Sequence, residues 1–103
     1  MSTIKPGTVL VHSWGYEQTQ VDFYEVIALK GEASAVVVKL PAERVKDTSW
    51  ASDEVIPGKP ADDAPKATCR ILQDVYVSLT NFGMRGYGAR VWNGRPQHRN
   101  WYG

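Results

Sequence analysis

Apolar residues in this chain recur at every second position, in short runs, and no amphipathic stretch of helical period reaches the roughly twelve residues that a marginal helix needs. Period-two alternation means strands with one face turned to a core. Thr8–Trp14 follows a Pro6-Gly7 break and is rich in β-branched and aromatic residues. In Val21–Leu29, Val21, Phe23, Ile27 and Leu29 fall on one side, and Tyr24, Val26 and Ala28 on the other. Lys30-Gly31-Glu32 reads as a turn, since glycine takes a positive φ without a Cβ penalty. Ser34–Leu40 then makes residues 21–40 a hairpin.

Residues 41–68 hold Pro41, Pro57, Pro60 and Pro65, and the reading here is an irregular, proline-rich segment. Ala42–Asp47 has the composition of one or two helical turns, and Glu54–Ile56 that of a short strand. Gly58–Lys66 reads as a surface loop. Regularity resumes at Thr68, and Ile71–Thr80 reads as one half-buried strand with Val75, Val77 and Leu79 inward. Asn81–Gly88 is a glycine-rich loop. Ala89–Trp92, Asn93-Gly94 and the residues from Arg95 onward have the pattern of a hairpin, with Pro96 confining the return strand to a sheet edge.

A chain of 103 residues predicts one domain, spanning 1–103. Five or six short strands around one core predict an all-β fold: a small, closed barrel of the Src-homology-3-like kind with a long proline-rich loop in its middle. The chain has four Trp and five Tyr, more than a core of this size hides completely.

The apolar stretch near the N-terminus is too short for a secretory signal, and no run has the length of a membrane span. The single Cys69 has no internal disulfide partner. The expectation is a cytoplasmic protein without membrane contact. No Cys/His pair has zinc spacing, and no cofactor is called for. Cys69, with His12 or His98 as base, is the one conceivable nucleophile. Its position before Ile71 and Leu72 fits a buried strand residue better. His12, alternating with Leu10 and Trp14, reads as a packed strand residue and His98 as a solvated base, so the expectation is a protein that is not an enzyme.

Two segments carry binding character. The net charge is +1, yet every basic residue after Asp74 (Arg85, Arg90, Arg95 and Arg99) stands in a stretch with no acid at all. These arginines interleave with Tyr87, Trp92, Trp101 and Tyr102. Guanidinium forks hold phosphates, and aromatic faces stack on bases. Arg85-Gly86-Tyr87-Gly88 matches half of an RNA-recognition signature, but Ala89 and Arg90 depart from the other half. The second segment is Ser13–Gln20, SWGYEQTQ, longer than a hairpin turn requires. Trp14 and Tyr16 either plug a barrel end or meet a ligand, and Gln18 and Thr19 offer amide and hydroxyl groups. Asp22 is expected to point outward from the second strand.

The segment S-W-G-Y-E-Q-T-Q-V-D-F-Y, with the late W-N-G-x-P and a terminal aromatic, resembles a family of small proteins of bacteriophages and other mobile elements. The resemblance covers roughly residues 6–40 and 75–102. Family members tend to carry Asp where this chain has Glu17 and Asn93. The resemblance implies an accessory phage product and supplies no activity. Two partner classes follow: nucleic acid or a nucleotide, held by the Arg/aromatic face, or a host or defence protein, blocked by Trp and Tyr anchors. Unpaired strand edges also leave homodimer formation open.

Overall fold

The computed structural model describes residues 4–14, 20–49, 52–72, 76–83 and 86–100. Nine strands fill them: β1 (Val9–Trp14), β2 (Gln20–Lys30), β3 (Ser34–Leu40), β4 (Ala42–Ser49), β5 (Ser52–Pro57), β6 (Lys66–Leu72), β7 (Tyr76–Ser78), β8 (Gly88–Val91) and β9 (Gln97–Asn100). A 3-10 turn covers Thr80–Phe82.

Strands β1, β2, β3, β6, β7 and β8 pair in that order, all antiparallel, and β8 returns to β1 to close a six-stranded barrel. The expected small, Src-homology-3-like all-β barrel is what the chain forms. Closure removes the sheet edges that a short open sheet leaves bare. Its interior holds Leu10, Tyr24, Val26, Val37, Val77 and Ala89, with Ile4 among them and Phe82 packed alongside.

The proline-rich middle is more ordered than its composition suggests. Residues 42–49 and 52–57 form β4 and β5, which join β9 in a second, three-stranded sheet, and 58–65 is the irregular part of this stretch among the described residues. The helical turns read from Ala42–Asp47 are strand, because pairing with β5 overrides a local preference worth a few tenths of a kcal/mol per residue. This sheet lies on the outer side of β1–β3, where Val55 meets Val11, Val21, Phe23, Val38 and Leu40 in a second core. That explains why β1–β3 are apolar on both faces: neighbours such as Leu10 and Val11 face different cores.

Three further expectations change. Ile71–Thr80 is not one strand. Ile71 pairs with Val77 and Leu72 with Tyr76, so β6 and β7 are antiparallel neighbours. Val75 lies outside the described residues. Asn93-Gly94 turns the chain, but β8 and β9 do not pair; β9 follows Pro96 onto the edge of the second sheet beside β5. In β2 a bulge between Val26 and Ala28 shifts the register, so Leu29 stands opposite the core residue Ala35 and leaves the Val21/Phe23 side.

Candidate functional site

One end of the barrel is formed where β1 stops at Trp14, β2 starts at Gln20, β3 stops at Leu40 and β8 starts at Gly88. The described ends of the first segment, Ser13–Trp14 and Gln20, lie at this end with the start of β8. Leu10 pairs with Val91 and Val11 with Arg90, which brings the start of β8 alongside the end of β1. Gln20, opposite Trp14, marks the return of the 15–19 segment.

Tyr87 is 56% exposed, and its ring centroid lies 5.3 Å from that of His12 at a tilt of 58°. Beneath it, His12 is only 7% exposed. The Gly88 backbone carbonyl hydrogen-bonds the imidazole. Nε2 is buried and has no hydrogen-bond partner among the described residues, so the bond to Gly88 falls to Nδ1. Burial pulls the imidazole below its ordinary value, opposed by the Asp22 carboxylate and the Gly88 carbonyl and helped by the Arg90 guanidinium. The ring is therefore neutral at pH 7, with Nδ1–H donating and the Nε2 lone pair free to accept.

Asp22 does not point outward as expected. It pairs in register with His12, on the Tyr24 side of β2, and Lys39 Nζ lies 3.8 Å from its Oδ1. Lys39 also borders an open, mainly apolar depression of about 330 Å³ between the end of β3 and Ala61–Pro65. This end thus presents one half-exposed phenol and the Lys39–Asp22 pair around a buried acceptor. Among the binding residues read from the sequence His12, Asp22 and Lys39 had no place: His12 was read as a packed strand residue and Asp22 as an outward one. The available signal was a polar residue at an inward position of an alternating strand, Leu10-x-His12-x-Trp14.

The other predicted residues divide. Arg90 is exposed on β8, level with Val11 and Tyr76. Trp92 is half-buried in the second core, edge-on to Phe23 at 6.0 Å and 78°, and its Nε1 donates to the Arg95 carbonyl at 2.7 Å. Arg95 sits in the turn toward β9, with its backbone N–H donating to Asn93 Oδ1 at 2.9 Å. Arg99 on β9 stands opposite Asp53, and His98 opposite Glu54. Tyr16, Gln18, Thr19, Arg85 and Trp101 lie outside the described residues, and Trp14 and Arg99 are described in backbone only. The structure therefore brings Tyr87 onto His12 at this end and leaves Arg90 on the outer face of β8 opposite Val11, while Trp92 and Arg95 belong to the junction with the second sheet and Arg99 to β9.

Cys69 is buried in the barrel core, and burial pushes its thiol up to about 11, so it stays protonated at neutral pH. Among the described residues no group of three His, Cys, Asp or Glu side chains gathers to hold a metal ion. No helix among them is long and apolar enough to cross a membrane. No family model, no curated protein and no solved structure matches the chain.

Proposed function

We propose that this chain is a non-catalytic binding module, an accessory product of the phage kind, that takes nucleic acid or a nucleotide at the mouth of its barrel. The observation that supports this reading is the exposed Tyr87 ring above buried His12 at the barrel end where β1 stops and β2 begins, with Arg90 on the neighbouring strand β8. A half-exposed aromatic face is a platform for an unstacked base, and a guanidinium a few residues away suits the adjoining phosphate. Lys39, beside Asp22, adds a cation at the same end.

Fluorescence anisotropy with labelled single- and double-stranded oligonucleotides, from about 50 to 300 mM salt, tests the reading. Micromolar binding to the single strand that weakens steeply with salt, and that is lost when Tyr87 and Arg90 are both replaced by Ala, supports it. No binding at the lowest salt discards it.

A protein partner is the second reading, favoured by one observation. The register sets Arg99 and His98 against Asp53 and Glu54, so part of the basic segment faces the chain's own acids, while Ile27 and Leu29 remain exposed apolar surface. In that reading the chain blocks a host or defence factor through Trp and Tyr anchors, and the complex survives both high salt and nuclease treatment.

A further inference from the structure

We propose that His12 Nε2 is the acceptor that selects a nucleobase, taking a hydrogen bond from an N–H on the edge of a base stacked on Tyr87. This inference rests on the nucleic-acid reading above and names what that site would recognise.

Four observations lead to it. Nε2 is buried and has no hydrogen-bond partner among the described residues, although buried polar atoms are nearly always paired. The imidazole cannot turn to satisfy it without giving up the bond to the Gly88 carbonyl. An unpaired acceptor costs stability, and a ligand that supplies the missing donor recovers that cost on binding. The surroundings also fit a base better than a bare anion. Nε2 in the neutral ring is an acceptor and would repel a phosphate oxygen, whereas amino and imino groups on base edges are donors.

Tyr87 borders the way in from solvent: it is the exposed ring in contact with His12, and it lies in a short segment between Gly86 and β8. A base entering at the mouth can stack on the phenol face while its edge points down to the imidazole. Adenine and cytosine would present an amino group and thymine a ring N–H, at different positions on the edge. A fixed acceptor therefore tells them apart.

The test uses the full chain labelled with 15N at neutral pH, titrated with short oligomers of dA, dC and dT. The expected result has three parts. Affinity differs about tenfold between the tightest and weakest oligomer. The tightest oligomer moves the His12 Nε2 resonance from its free-acceptor position toward the hydrogen-bonded one. In His12→Phe the three affinities converge. If this variant does not fold, the wild-type resonance and the wild-type affinities decide. Oligomers that bind with equal affinity, or bind while the Nε2 resonance stays fixed, overturn the proposal and leave the nucleic-acid reading standing. No binding by any of the three overturns both.

Discussion

The phenol of Tyr87 covers the imidazole of His12, ring centroids 5.3 Å apart, and the two residues differ sharply in exposure: 56% for the first and 7% for the second. An exposed ring resting on a buried one contributes little to the core and much to a surface. Tyr87→Ala is therefore expected to change unfolding free energy by no more than about 0.5 kcal/mol, the ordinary range for surface positions. Loss of a stacking platform worth about 1–3 kcal/mol should weaken single-strand binding by tenfold or so. Chemical denaturation and anisotropy on the same preparation separate the two effects. Equal losses in both would assign Tyr87 to the fold.

Protonation of His12 ties stability to pH. Burial lowers its folded value below the 6.5 of the unfolded chain. Between those two values the unfolded state binds more protons, so the stability His12 contributes is full above 6.5, declines as pH falls through that value, and levels off below the folded one. Urea midpoints from pH 8 to pH 5 should show this decline in the wild type. A variant with Phe at position 12 should lack that component. A midpoint profile identical in the two proteins would mean that His12 is solvated.

Trp92 was as plausible a base platform as Tyr87 from sequence alone, but its geometry predicts a different phenotype. The indole is edge-on to Phe23 in the second core, and its N–H is already used by the Arg95 carbonyl. Trp92→Ala is expected to destabilise the protein by about 2–3 kcal/mol, below the range for a fully buried Trp because this one is half-exposed. Trp92→Phe keeps the ring contact and loses only the hydrogen bond, about 1 kcal/mol. Thermal melts of the two variants give the order.

Alternation made β1, β2 and β3 legible because most of their inward residues are apolar, His12 and Asp22 near one end being the exceptions. The same rule did not reveal β4, whose Ala, Glu, Arg and Lys carry a helical preference that only the partner strand overrides. Strands β6 and β7 read as one because residues 73–75 hold neither Gly nor Pro to mark the reversal. Asn93-Gly94 announced a turn correctly, but a turn signal is local and says nothing about which strand receives the chain next. The candidate site was half legible for a related reason. Exposed aromatics and arginines stand out in composition, as Tyr87 and Arg90 did. A buried His is recognised as unpaired only when its neighbours are known.

Gly88 tests how tightly β8 is fitted against β7. A Cβ at this position would lie 2.7 Å from Tyr76 Cδ2 and 3.1 Å from the Val77 carbonyl oxygen. One neighbour is a ring and the other is backbone, so neither yields cheaply. Gly88→Ala should cost about 1–3 kcal/mol, the usual penalty for overpacking. It should also disturb His12, since the imidazole is tied to the Gly88 carbonyl. Denaturation midpoints together with the His12 resonances read both consequences.

Asp53 and Arg44 bind the second sheet to itself across β4 and β5. The carboxylate is fully buried, while the guanidinium, whose Nε lies 3.1 Å from Asp53 Oδ2, is more than half exposed. An exposed partner is screened by solvent, so Arg44→Ala is expected to cost only about 1 kcal/mol. Asp53 makes interactions besides this one and faces the Arg99 position on β9. Asp53→Ala removes the hub and should cost more, about 2–3 kcal/mol. The loss should be local. Amide exchange should accelerate in β4, β5 and β9 while Val26, Val37 and Val77 in the barrel keep their protection, because the barrel core closes through its own six strands. Equal acceleration in both sheets would mean that the barrel and the second sheet unfold as one unit, and that the shared core around Phe23 and Val55 couples them.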